Sequence, residues 1–144
     1  MERDQPTAPV GTVTTWLRYL LIAIAWLFAI GVIVQIFLAG LSLFESSKYW
    51  EDHEDMGSTI GILAYLLPFI ALGGRAGVRL FVHAVVVAVL YQTQITLPEI
   101  DTGWIAALHP VNAFLLGGSS GSLGARTLLL VRSAGPSGIS AARS

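Results

Sequence analysis

Four long stretches carry no charged residue: Tyr19 to Phe44, Met56 to Gly74, Leu80 to Pro98 and Thr102 to Ala125. The segments between and flanking them hold all the charge. At 1.5 Å per residue, about 20 residues cross the hydrocarbon core of a bilayer, so each stretch is long enough to span it. The pattern predicts an all-α polytopic membrane protein, with helices over about 14–44, 47–74, 78–97 and 102–131. Connections this short place successive helices side by side, giving an antiparallel four-transmembrane-helix bundle over 14–132. Residues 1–13, with Pro6 and Pro9, read as a disordered lead, and residues 133–144, with Gly135, Pro136 and Gly138, as a disordered tail. The first stretch exceeds the apolar core of a signal peptide, about 7 to 15 residues, and the segment before it is not distinctly basic, so it is expected to remain as a helix. Gly73, Gly74 and Gly77 around Arg75 predict a tight second hairpin, Pro98 closes the third helix, and Pro68 should kink the second.

Charge gives the pattern a direction. Arg3, Arg18, Arg75, Arg79, Arg126, Arg132 and Arg143 fall on one side of the four stretches, and only Lys48 falls on the other. Seven of the nine carboxylates, Glu45, Glu51, Asp52, Glu54, Asp55, Glu99 and Asp101, accompany Lys48. Basic segments are retained in the cytoplasm, which predicts an N-in/C-in protein of a bacterial inner membrane. A hydrophobic content of 54%, a charged content of 12% and a mean hydropathy of +0.71 belong to a bilayer protein and supply no basic stripe for nucleic acid. The absence of Cys excludes disulfides, iron–sulfur clusters and covalent c-type haem.

On this topology the outer half of the bundle collects polar side chains that need partners in a bilayer. A cap at Ser46 or Ser47 puts His53 about two turns into helix two, and a cap at Asp101 or Thr102 puts His109 about two turns into helix four. Gln35, Gln94 and Asn112 reach a comparable depth. Two imidazoles on diagonal helices suit bis-histidine ligation of a b-type haem, and Gly57, one turn below His53, would let a flat macrocycle approach the backbone. The candidate cofactor site is therefore His53, His109, Gly57, Gln35, Gln94 and Asn112, with His53 and His109 as iron ligands. Other readings stand beside it. His53 lies in an acidic cluster that suits a solvated loop or an outer divalent-metal site. His109 precedes Pro110, which also suits the cap of a helix beginning there, with the ring bonded to Gln94 or a backbone carbonyl. His83 reads as an interfacial residue turned inward. Haem propionates would find only Lys48 on the outer face.

Helix four carries Gly117, Gly118, Ser119, Ser120, Gly121, Ser122 and Gly124. The Gly117–Gly121 spacing allows close helix approach, either within the monomer or to a homo-oligomer or larger membrane complex. No phosphate loop, dinucleotide fingerprint or nucleophile elbow is present, and no stretch holds an ionisable carboxylate or amine at its centre. The chain thus reads as a membrane protein whose enzymatic status the sequence leaves open, either a haem binder or an accessory subunit or scaffold assembling through helix four.

The run Gln35 to Gly40, the His53–Gly57 step and the segment Leu108-His109-Pro110-Val111-Asn112-Ala113 resemble a group of small uncharacterised bacterial four-helix membrane proteins that share a domain of unknown function. The resemblance extends from about Arg18 to Arg132 and implies the four-helix fold without an activity. The layout is also loosely similar, in architecture only, to the four-helix haem units of cytochrome b-type proteins and of haem A synthase halves. It departs from them in lacking a second pair of inner ligands.

Overall fold

The computed structural model describes residues 11–133. Among these residues there is no strand. The chain forms α1 (Thr12–Phe44), α2 (Tyr49–Gly73), α3 (Val78–Thr96), a 3-10 turn at Leu97–Glu99, a single helical turn α4 (Gly103–Ala106), and α5 (His109–Ser133). Four segments are long and apolar enough to cross a membrane: Thr12–Phe44, Tyr49–Gly73, Val78–Glu99 and Gly103–Ser133. The lead and tail expected at 1–13 and 133–144 lie outside the described residues except at their inner edges, where Thr12, Val13 and Ser133 are already helical.

Each long helix packs on its chain neighbour, and α5 returns to α1, closing a four-membered ring. Cross-helix contacts fix the directions. Arg18 near the start of α1 meets Gly74 at the end of α2, Gln35 late in α1 meets His53 early in α2, and Gln94 late in α3 meets His109 at the start of α5. The ring is therefore antiparallel, with α2 and α5 on one diagonal. Leu21, Ala25, Phe28, Leu67, Val87, Leu116 and Leu123 form the core, while Trp16, Ile33, Phe37, Phe69, Leu72 and Phe114 stand exposed around the outside. An apolar exterior around an apolar core is what a bilayer solvent selects.

At the Arg18 end the helices close tightly. Arg18, only 9% exposed, donates from Nε to the Gly74 carbonyl (2.9 Å) and from Nη2 to the Arg75 carbonyl (3.1 Å). A cation from α1 thereby satisfies carbonyls that the end of α2 leaves without helical donors. Arg18 is thus part of the packed bundle rather than of a segment ahead of it. In the hairpin, the left-handed conformations belong to Arg75 (φ 45°) and Gly77 (φ 89°), whereas Gly74 has φ −73°. Gly74 serves close approach instead: a Cβ there would lie 3.1 Å from the Ile70 carbonyl oxygen and 3.4 Å from the Arg18 nitrogen.

The small-residue face of α5 also turns inward. Ser120 Oγ donates to the Ala25 carbonyl at 2.8 Å. A Cβ on Gly117 would lie 3.3 Å from Val32, one on Gly121 3.6 Å from Trp26, and one on Gly124 2.8 Å from Trp26. Gly117 and Gly121 therefore seat α1 within the monomer and are not a free face for a second copy. Helix caps also differ from the sequence expectation. Neither Ser46 nor Ser47 caps α2 with its side chain; their backbone carbonyls accept from Tyr49 and Trp50. Thr102 makes no side-chain cap for α4.

Candidate functional site

At the opposite end from Arg18, a half-open cavity of about 560 Å³ lies between all four spans. Phe28, Val32, Ile60, Ala113 and Leu116 make its apolar walls, and Gln35, His53, Gln94 and His109 bring polar atoms to it. Glu54 and Glu99 are the charged residues of its lining, which contains no Arg or Lys. Gly57 lines the cavity as well, and Asn112 is buried behind it, bonded to Gln94.

The local sequence explains how His109 is held. Pro98 has no N–H, so the Gln94 carbonyl four residues earlier loses its helical donor. His109 supplies the missing bond, with Nδ1 2.9 Å from that oxygen. A carbonyl can only accept, so Nδ1 carries the hydrogen and Nε2 is the acceptor. Gln94 Nε2 donates to His109 Nε2 at 2.9 Å, and Asn112 Nδ2 donates both to Gln94 Oε1 (2.7 Å) and to the Leu90 carbonyl (2.9 Å). The network is closed: both nitrogens of His109 are bonded, and one orientation of each amide serves every partner.

His53 sits differently. Its Nδ1 lies 3.0 Å from the backbone carbonyl of Gln35, which by the same logic makes Nδ1 the donor and leaves Nε2 with a free lone pair. Trp50 stacks on its ring at 5.1 Å, with the indole nitrogen donating to Glu54 at 2.8 Å. The His109 ring presents an edge to it at 6.2 Å. The two histidines therefore do meet, although α5 begins at His109 rather than two turns earlier; the break between α4 and α5 brings the chain to the depth of His53. The Gln35 side chain, 9% exposed, has a buried amide nitrogen without any hydrogen-bond partner.

Tyr91, which depth and spacing put on the stripe of α3 facing the site, lines the cavity although it is not among the candidate cofactor-binding residues. It is buried, its hydroxyl donates to the Gly57 carbonyl at 3.2 Å, and its ring packs edge-on against Phe28 and Tyr65. Its ring occupies the space a Cβ on Gly61 would take. Gly57 and Gly61, one turn apart on α2, were the available signal. Gly57 itself faces the Gln35 side chain, 3.5 Å from where its Cβ would be, an ordinary contact and not a slot for a macrocycle. His83 lies away from this group, with Nε2 3.2 Å from Ser119 Oγ.

As placed, these residues do not fit bis-histidine haem. His109 offers iron no nitrogen without breaking its bond to Gln94, the space above Gly57 is filled, and propionates at the mouth would meet Glu54 and Glu99 instead of a cation. Nor do three or more His, Asp or Glu side chains converge as a metal site among the described residues. The arrangement can instead bind: it has apolar walls and an imidazole acceptor, His53 Nε2, without a partner among the described residues.

Residues 35–101 match a family described as a family of unknown function (DUF6220). The matched stretch holds Gln35, His53, Gly57 and Gln94 but stops short of His109, so the Leu108–Ala113 segment lies outside it. No curated protein and no solved structure matches the chain.

Proposed function

We propose that this chain is a four-span protein of a bacterial cell membrane, with both termini cytoplasmic, that binds a small, mainly apolar molecule in the cavity between its outer helix ends. The cavity carries the reading. Its volume of about 560 Å³ falls within the roughly 300–1,000 Å³ of small-molecule sites, and Gln35, His53, Gln94 and His109 bring a few polar groups to a mainly apolar lining. The orientation rests on the seven basic residues at the Arg18 side and the acidic rim at the other. Assembly through Gly117 and Gly121 is set aside because α1 occupies them.

The test uses Trp50, which lines the cavity. In detergent-purified protein with Trp16, Trp26 and Trp104 replaced by Phe, 2-bromonaphthalene should quench Trp50 fluorescence saturably. Ala39→Phe with Ala107→Phe, which bulk out the lining, should weaken that quenching. Quenching that rises linearly with probe and ignores both substitutions would refute the cavity reading. The same preparation, expressed with haem available, should show no sharp α-band on reduction with dithionite.

A further inference from the structure

We infer that the molecule bound in this cavity is an amphiphilic cation, with an apolar body seated among Phe28, Val32 and Leu116 and an ammonium group at the rim beside Glu54 and Glu99. The inference rests on the binding role proposed above and reads the charge of the ligand's head from the way the lining changes with depth.

Along every span the lining changes in the same order. On α1 it runs from Phe28 and Val32 to Gln35, and on α3 from Tyr91 past Gln94 to Glu99. On α2 it runs from Ile60 to His53 and Glu54, and on α5 from Leu116 to His109. Because the helices alternate in direction, these sequences superpose as an apolar floor, a belt of amides and imidazoles, and a rim that holds both charges. The floor sets the body of the ligand: Phe28, Val32 and Leu116 accommodate hydrocarbon and offer nothing to a polar group.

The rim sets the head. Glu54 and Glu99 are both carboxylates, and the lining holds no Arg or Lys. Lys48, the single cation of the outer connections, lies over the Tyr49 ring at 4.9 Å and is outside the lining. The Trp50 indole, itself part of the lining, donates to Glu54 at 2.8 Å, which holds that carboxylate at the cavity wall and leaves it further lone pairs. Two negative charges without a counter-charge in the lining attract a cation and repel an anion, and low-dielectric walls concentrate that field at the mouth. A carboxylate or phosphate head is therefore disfavoured, and so is a zwitterionic lipid head, which brings a phosphate to the same rim. A neutral head gains no charge attraction from Glu54 or Glu99. His53 Nε2 has the same preference, because the Nδ1 bond to the Gln35 carbonyl makes it an acceptor and an ammonium group brings hydrogens to donate. A metal ion does not suit the site, since no three His, Asp or Glu side chains converge among the described residues and an ion makes no use of the floor. An alkyl- or arylammonium without an anionic group is the class that remains.

The experiment is competition against 2-bromonaphthalene in the Trp50 quenching assay, in an uncharged detergent at low salt and about pH 8, where imidazoles are neutral and alkylamines charged. The competitors are 1-adamantanemethylamine, 1-adamantanemethanol and adamantane-1-carboxylate, which share one apolar body and differ in the charge of the head. In the parent protein the amine should be the strongest competitor and the carboxylate the weakest. Detergent partition is the same for any variant, so the readout is the ratio of half-displacing concentrations, alcohol over amine, compared between proteins. Glu54→Gln combined with Glu99→Gln should lower that ratio roughly tenfold by weakening the amine alone. The substitution at Glu54 keeps an acceptor for the Trp50 indole, and saturable quenching by 2-bromonaphthalene shows that the variant remains folded around the cavity. Glu45→Gln combined with Asp101→Asn, which removes two outer carboxylates that are not in the lining, should leave the ratio near that of the parent. A ratio unchanged by the Glu54 and Glu99 substitutions, or lowered equally by those at Glu45 and Asp101, overturns the cation inference and leaves the cavity reading intact. Non-saturable quenching by 2-bromonaphthalene in the parent removes both.

Discussion

The two ends of the bundle solve the same packing problem in opposite ways. At the Arg18 end, and along the α1–α5 seam leading from it, small residues let helices close. Gly74 admits the backbone of α1, Ser120 reaches the Ala25 carbonyl, and Gly121 and Gly124 seat Trp26. Arg18 donates there to two backbone carbonyls exposed by the end of α2. At the His53 end the surfaces are larger and less regular. The third span ends in a proline-led 3-10 turn, the fourth begins as a broken helix, and an open volume remains with an unpartnered amide in its wall. A membrane bundle gains little from hydrophobic association between helices, so close packing and matched polar groups hold it together. Where both are relaxed, as at His53, the relaxed end is the place to expect a ligand.

The sharpest break in that contrast comes from filling the slot where the open end does pack. Gly61→Val puts side-chain atoms where the Tyr91 ring lies, and Tyr91 is buried against Phe28 with its hydroxyl tied to α2. The ring has no clear route out. A loss of about 3 kcal/mol or of the folded protein altogether is expected, read as the midpoint of reversible SDS unfolding. A midpoint within error of the parent would show that Tyr91 and Gly61 are not in register.

Arg18→Ala tests the closed end. It removes two charge-assisted bonds to the end of α2 and should destabilise by about 2 kcal/mol in the same unfolding assay. Ligand binding at the far end should be unchanged, and a parallel loss of binding would contradict the independence of the two ends. Asn112→Leu acts on the open end by stripping Gln94 Oε1 of its donor, with an expected loss of about 1 to 2 kcal/mol. Because that amide is what holds His109 Nε2, the His109 ring should gain mobility in nitrogen-15 relaxation of labelled histidine, whereas the His53 ring should not.

Much of this was legible along the chain, and the reasons differ by level. Spans could be read because a bilayer demands about 20 uncharged residues, a constraint local to each stretch. The convergence of Gln35, His53, Gln94, His109 and Asn112 followed from counting depth from the loops. Their roles did not follow, because roles depend on which way each side chain turns about its helix axis. His109 illustrates the difference. Its depth suited a metal ligand, but Pro98, four residues after Gln94, had already created an orphan carbonyl that claims its Nδ1. That spacing was available in the sequence, and its consequence required α5 to start beside α3. Gly117 and Gly121 announced close approach without saying to what, and the answer, Trp26 and Val32 of the same chain, lies some ninety residues away. Gly57 and Gly61 carried the same small-residue spacing on α2, and its meaning became visible only with the Tyr91 ring in place.

The smallest effect separates the two ends most cleanly. At the closed end, removing a polar side chain leaves its partners unmade and lowers stability, as expected for Arg18→Ala. Gln35→Leu should do the reverse. Its amide nitrogen is buried and bonded to nothing, so replacing it with an apolar side chain of similar reach removes a desolvated donor and leaves no unmatched partner behind. His53 is unaffected, since it binds the Gln35 backbone carbonyl, which leucine retains. The protein should therefore gain about 1 kcal/mol in SDS unfolding. A loss of stability in the ligand-free variant would mean that the amide already has a partner, and the open end would then be as fully matched as the closed one.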